Sequence, residues 1–210
     1  MRKRKKTVKV ICFIICALIV LLLIVYINHQ VRLKKEEALR SPLGQIVEVD
    51  DHDMSVYIEG TGDTTLVFMS GGGTCSPILD FKSLYSLLSD KYKIVVVEKF
   101  GYGFSDIVDK SREIDSILED TRTALANAGL TAPYVLCPHS MSGLEALYWV
   151  QKYPDEVSAI IGLDMAVPKY YDDMNINIPL MRVASTAASI GVTRFIPGIS
   201  DGDAVKYGTL

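Results

Sequence analysis

The sequence predicts an α/β fold: a mostly parallel, doubly wound sheet entered through an antiparallel hairpin and preceded by one membrane-spanning helix. Three observations predict it. Four short apolar runs, at 65–69, 94–97, 134–137 and 159–163, lack the polar alternation of a half-exposed strand. Such runs suit strands covered on both faces, as in a parallel sheet. Helical stretches separate them, and helices are the usual crossovers between parallel strands. Finally, residues 10–27 are eighteen consecutive apolar residues near the amino terminus.

Residues 1–40 carry ten Lys/Arg and two acids, whereas 41–210 carry twelve bases and twenty-three acids. The mild net charge of −3 therefore conceals a basic leader joined to an acidic remainder. An acidic domain speaks against nucleic acid as a partner, since phosphate binding needs clustered Lys/Arg. At about 1.5 Å per residue, the 10–27 run nearly spans a hydrocarbon core of roughly 30 Å. It exceeds the apolar stretch of about 7–15 residues usual in a cleaved signal peptide, and no small-x-small site follows it. An uncleaved anchor is the expectation, with the lipid bilayer as its partner. Six basic residues precede the run (Arg2, Lys3, Arg4, Lys5, Lys6 and Lys9). They favour a single-pass protein of the cell membrane with a cytoplasmic amino terminus and an extracytoplasmic domain. The expected organisation is a basic tail over 1–9, the membrane helix over 10–27, a linker or short polar helix over 28–44, an α/β core over 45–167 and a further region over 168–210.

Within the core, residues 45–49 and 55–59 alternate around Asp50-Asp51-His52-Asp53, which predicts the hairpin. A helix is expected over 77–89, with Ser76 as N-cap and Pro77 at the first helical position. Another is expected over 113–128, with Ile114, Ile117, Leu118, Thr121 and Leu125 on one face and Gly129 at its end. A third should run over 142–153 and stop before Pro154. Beyond Pro168 the regularity fades, with a helix expected over 180–190 and a loop from 196 to 202. Of four cysteines, Cys12 and Cys16 lie in the apolar run, while Cys75 and Cys137 stand near the carboxyl edge of the sheet. Neither a CxxC nor a His pair suggests a metal, and no cofactor is expected.

Three loops follow predicted strands at that carboxyl edge, where open α/β sheets bind ligands. Cys137-Pro138-His139-Ser140-Met141-Ser142-Gly143 places a serine on a strand-to-helix turn. By itself this is either an exposed nucleophile or a serine that caps the following helix. Ser70-Gly71-Gly72-Gly73-Thr74 is a glycine loop, which as a phosphate cradle would need a Gly-Lys-Ser/Thr ending that is missing. Glu98-Lys99-Phe100-Gly101-Tyr102-Gly103-Phe104-Ser105-Asp106 lacks the third glycine of a dinucleotide fingerprint.

Together and in this order the three resemble the α/β-hydrolase superfamily. Ser140 resembles its nucleophile elbow, normally G-x-S-x-G, with Pro138 and Ser142 in place of the glycines. The 70–74 loop is similar to the oxyanion loop, with Ser70 where a histidine often stands. The resemblance implies oxyanion donors at the N–H groups of Gly72 and Met141. The 98–106 loop looks like D-x-x-G-x-G-x-S-D, with Glu98 for the first Asp, and a structural role is expected for it. A serine hydrolase acting on an ester, amide or similar carbonyl of a small molecule is implied.

The superfamily orders its triad Ser, acid, His. The three histidines, His29, His52 and His139, do not follow Ser140. His139 is expected to fill space beside the glycine loop. Asp164 ends the fourth run, where some members carry the acid; otherwise it caps the strand or lines the pocket. The expectation is an amino-terminal piece of a hydrolase, cut within its cap with the last strands and the histidine missing, and therefore inactive. The alternative is a surface protein that uses the fold to bind without catalysis.

Overall fold

The apolar runs become strands, and their order explains where a site can form. The computed structural model describes residues 2–37, 41–171 and 177–196. Arg40, the 172–173 acidic pair and residues 197–202 of the loop expected over 196–202 lie outside the described residues. Two compact units are distinguished, one of residues 42–174 and one of residues 1–41 with 175–210.

In the first unit, β1 (Gln45–Val49) and β2 (His52–Glu59) pair antiparallel, with Val49 opposite His52. Asp50 and Asp51 form the two-residue turn at φ 51° and 62°. Positive φ at both positions matches the right-handed twist of the flanking strands, and Asp tolerates it better than most residues. β3 (Thr65–Met69), β4 (Lys93–Glu98) and β5 (Tyr134–Ser140) follow. β6 (Val157–Ile160) and β7 (Leu163–Met165) complete the described sheet. The order is β1-β2-β4-β3-β5-β6, with β7 pairing the end of β5. β3 runs parallel to both β4 and β5, and β5 runs parallel to β6.

Helices cover both faces. Val67, Met69, Val95, Val97 and Leu136 pack with Leu118, Ala124, Leu125, Ala146 and Trp149. These come from α4 (Ile114–Asn127) and α5 (Ser142–Lys152). Leu66, Phe68, Ile94, Val96 and Cys137 pack on the other face against Ile78, Phe81 and Tyr85. The alternation of neighbours between two cores is the period-2 geometry of a strand applied to runs that are apolar throughout. On the helical side Arg122 joins α4 to the turn after α5. Its Nε and a terminal nitrogen donate to the two oxygens of Glu156, at 2.8 and 2.5 Å, and Glu156 also accepts from Trp149 Nε1 at 2.8 Å. That guanidinium holds the Glu156 carboxyl below its ordinary 4.5.

Two expected elements differ. The helix expected over 77–89 is two single turns, α2 (Pro77–Asp80) and α3 (Lys82–Tyr85), broken at Phe81. Phe81 and Tyr85 turn into the sheet, with ring centroids 5.5 and 6.0 Å from Phe68, and packing overrides the helical pattern. Ser76 precedes α2 without a side-chain cap bond; its hydroxyl donates to Glu98 Oε1 at 3.3 Å. The fourth apolar run is divided between β6 and β7. At Gly162 a Cβ would lie 2.7 Å from Met165 Cγ, a closer approach than one continuous strand would make, and β7 resumes parallel to β5.

In the other unit, α1 (Arg2–Glu36) is one helix of 35 residues that continues through 28–36. Its most apolar stretch has a mean hydropathy of 3.5, so it is long and apolar enough to cross a membrane. α7 (Ile178–Ser189) is capped by the Asn177 carboxamide, which accepts from Leu180 N–H at 3.0 Å. Arg194 grips both oxygens of Glu36, at 2.7 and 2.6 Å, and its Nε donates to His29 Nδ1 at 2.8 Å.

Candidate active site

Because β3, β4 and β5 are parallel, the loops that leave them share one edge. From β3 the chain crosses to β4 on one side, then returns across β3 to β5 on the other. The strand order thus reverses between β3 and β5, and at such a switch point the following loops diverge and leave a crevice. The glycine loop and the serine turn flank that crevice.

Ser140 sits at φ 53°, a left-handed conformation that a non-glycine residue holds only when its surroundings impose it. The surroundings are specific. Ser142 Oγ is fully buried and donates to Met69 O at 2.7 Å or His139 O at 2.8 Å, while accepting from His139 N–H at 2.9 Å. Ser142 therefore ties the turn to the end of β3, a task for which glycine has no atoms. Close approach falls instead to Gly143, where a Cβ would lie 2.2 Å from Ala166 O. Ala166 N–H in turn donates to Ser140 O at 2.8 Å. Pro138 pairs with Met69 in the ladder and is buried.

The glycine loop lies directly against the serine. A Cβ at Gly71 would stand 2.7 Å from Ser140 Cβ and 3.2 Å from its Oγ. At Gly72 it would stand 2.5 Å from Met141 Sδ, so the two residues expected to supply oxyanion donors are neighbours. Neither their N–H groups nor the Ser140 hydroxyl is engaged in a hydrogen bond among the described residues.

The 98–106 loop is a staple. Glu98 is fully buried and accepts from Phe104 N–H at 2.9 Å. Gly103, at φ 51°, allows this because a Cβ would overlap the Glu98 carboxylate at 2.0 Å. Ser105 Oγ donates to Glu98 O and accepts from Ser55 N–H at 2.8 Å. Asp106 accepts from Asp53 N–H at 2.9 Å.

Beneath these loops lies an interaction that sequence reasoning missed. Lys99 Nζ donates to Glu145 Oε1 at 2.6 Å and to Ser70 O at 3.1 Å, with both charged side chains only 10% exposed. Lys99 comes from the end of β4, Glu145 from α5 and Ser70 from the start of the glycine loop. One available signal was Glu145 itself, a lone acid among the apolar residues of Leu144-Glu145-Ala146-Leu147.

The remaining candidates are separate from the serine hydroxyl. His139 is exposed and sets its ring edge against Phe81 at 6.0 Å. His52 lies 3.8 Å from Asp106, and His29 belongs to the unit that contains α1. Asp164 is exposed at φ 49°, next to Met165, which pairs with Ser140. Burial pushes the Cys137 thiol up to about 12, so its thiolate is scarce at neutral pH. Cys75 and Cys137 are not joined in a disulfide. Among the described residues, no cluster of His, Cys, Asp or Glu is placed to hold a metal ion.

The chain resembles known proteins in sequence and in fold. The chain is 43% identical over 196 residues to the uncharacterized protein YbdG of Bacillus subtilis, across 91% of this chain and 60% of YbdG. It is 25% identical over 118 residues to the 2-(acetamidomethylene)succinate hydrolase of Mesorhizobium japonicum, across 56% of this chain and 41% of that enzyme. It thus spans about 60% or less of these relatives. Among solved structures, Cfl2 from Burkholderia cenocepacia superposes with a TM-score of 0.58 at 19% identity, over 68% of this chain and 54% of that one. The family model of the α/β hydrolase fold matches residues 64–192, and the chain belongs to that family.

Proposed function

We propose that the chain is a membrane-anchored serine hydrolase of this family, with Ser140 as nucleophile and the N–H groups of Gly72 and Met141 as oxyanion donors. The observation that carries the proposal is the left-handed Ser140, its hydroxyl unengaged and pressed against Gly71 at the switch point. In the reaction, Ser140 Oγ forms a bond to the substrate carbonyl carbon and gives its proton to a base. The carbonyl oxygen takes the negative charge and is met by the two N–H groups. Collapse then expels the leaving group, which takes up the proton, and water releases the acyl group by the reverse steps. Asp164 is the candidate acid of the triad, by its place beside the partner of Ser140 in the sheet.

No histidine hydrogen-bonds Ser140 among the described residues, so the chain is expected to hydrolyse simple esters poorly or not at all. The apolar stretch of α1 supports anchoring in a bilayer, and the basic residues before it support a cytoplasmic amino terminus. The lack of a histidine bonded to Ser140 among the described residues also favours a second reading, in which the same crevice binds a carbonyl compound without turnover.

A fluorophosphonate probe with mass-spectrometric mapping tests the proposal, run with and without added imidazole as a substitute base. Label should map to Ser140, increase with imidazole and vanish in Ser140→Ala. Label at another residue, or equal labelling of Ser140→Ala, overturns the nucleophile. Efficient turnover of p-nitrophenyl acetate that Ser140→Ala abolishes would overturn the expected inactivity.

A further inference from the structure

Beside the glycine loop is a cavity of about 430 Å³, a volume typical of small-molecule sites. Its lining includes Gly73, Thr74, Phe100, Tyr102, Ile107 and Arg112. Gly73 is two residues along the loop from Gly71, which touches Ser140. The walls are aromatic and aliphatic, and Ile107 is 93% exposed.

Arg112 is the single charged residue of the lining, and it forms no ion pair among the described residues. Several charged groups of the neighbouring segments have partners of their own. Asp80 accepts from the Thr74 hydroxyl, and Asp106 accepts from Asp53 N–H. Lys110, whose ammonium lies 5.9 Å from the Phe100 ring centroid, is held by Asp50 and Asp120. Lys99, 5.6 Å from the Tyr102 ring centroid, is held by Glu145. In a domain with an excess of acids, the exposed Arg112 forms no ion pair among the described residues and stands beside aromatic and aliphatic walls. A guanidinium in that setting is matched by a planar carboxylate, which it grips through two parallel N–H···O bonds.

We propose that this cavity receives a substrate bearing a carboxylate, such as the monoanionic ester of a dicarboxylic acid, with its charge on Arg112 and its chain along Phe100, Tyr102 and Ile107. One charge and apolar walls suit a monoanion with a hydrocarbon spacer better than a phosphate dianion. The substrate class rests on Ser140 as the reactive centre, but the anion site itself is tested by binding alone.

The 210-residue chain in detergent, with labelled isoleucine methyl groups, would be titrated with monomethyl adipate and with neutral dimethyl adipate while Ile107 is followed by NMR. The monoanion should bind at least about tenfold tighter, in line with a charge-assisted hydrogen bond. Arg112→Gln should bring the two within about twofold, and Arg112→Lys should keep part of the preference. Equal binding to the wild-type chain, or a preference that survives Arg112→Gln, overturns the site. If fluorophosphonate fails to label Ser140 while the charge preference holds, the nucleophile falls and the anion site stands.

Discussion

Breaking the Lys99–Glu145 pair should damage the chain far more than removing the pair entirely. At 2.6 Å, and with an effective dielectric constant of about 20, the attraction is on the order of 6 kcal/mol. Desolvation of two charges, each only 10% exposed, offsets several kcal/mol per ion, so the intact pair is worth little net. Removal of one partner abolishes the attraction and leaves the other charge stranded. Lys99→Met or Glu145→Leu should therefore each lower stability by roughly 3–5 kcal/mol. Lys99→Met also deprives Ser70 O of a donor. The double variant places two apolar side chains in the same space and should lie within about 2 kcal/mol of wild type, or above it. Guanidinium unfolding of the 210-residue chain in detergent, followed by the fluorescence of Trp149, would read this directly, since Trp149 is the single tryptophan and fully buried. Single variants that cost less than about 1 kcal/mol, or a double variant as damaged as their sum, would refute the reasoning.

Three further outcomes follow from the same geometry. Gly103→Ala drives a Cβ into the Glu98 carboxylate at positive φ and should destabilise by roughly 2–5 kcal/mol; near-wild-type denaturation would contradict the staple. Ser142→Ala strips partners from Met69 O and His139 N–H and should lower stability by about 1–3 kcal/mol, whereas Ser142→Thr should clash in a fully buried site. An indifferent Ser142→Ala would leave Ser140 without its main restraint. For Glu156, held below its ordinary 4.5 by Arg122, the sign is that of a depressed carboxylate. Its contribution is present above pH 4.5 and disappears as the pH falls through its lower folded value. The stability gap between wild type and Glu156→Gln, measured by circular dichroism, should therefore close in acid; a gap independent of pH would rule the pair out as its source.

What the sequence revealed was governed by local pattern. β3, β4 and β5 were legible because parallel strands buried on both faces must be apolar at every position, and the 98–106 loop because it resembles a family motif whose second glycine, Gly103, makes room for the Glu98 carboxylate. The two single turns α2 and α3 were hidden because Phe81 and Tyr85 obey the ring of Phe68, a residue thirteen positions before Phe81. At the serine turn the spacing exposed Ser140 but not the reason for Ser142, whose partner Met69 lies 73 residues away. Lys99 and Glu145 were missed altogether: each type is usually at the surface, and only the fold brings them together across 46 residues.

The bond from Ala166 N–H to Ser140 O has a consequence for the polypeptide that comes next. Because it anchors the chain beside the serine, Val167 and the short helix α6 (Pro168–Tyr171) start from a fixed origin at the rim of the crevice. Residues tethered so closely sample a small volume, and their effective concentration over that rim is set by the short tether rather than by dilution in solution. Substitutions at 167–171 should therefore act on access to Ser140 as if they belonged to the crevice, although none of them lies in the three loops that build it.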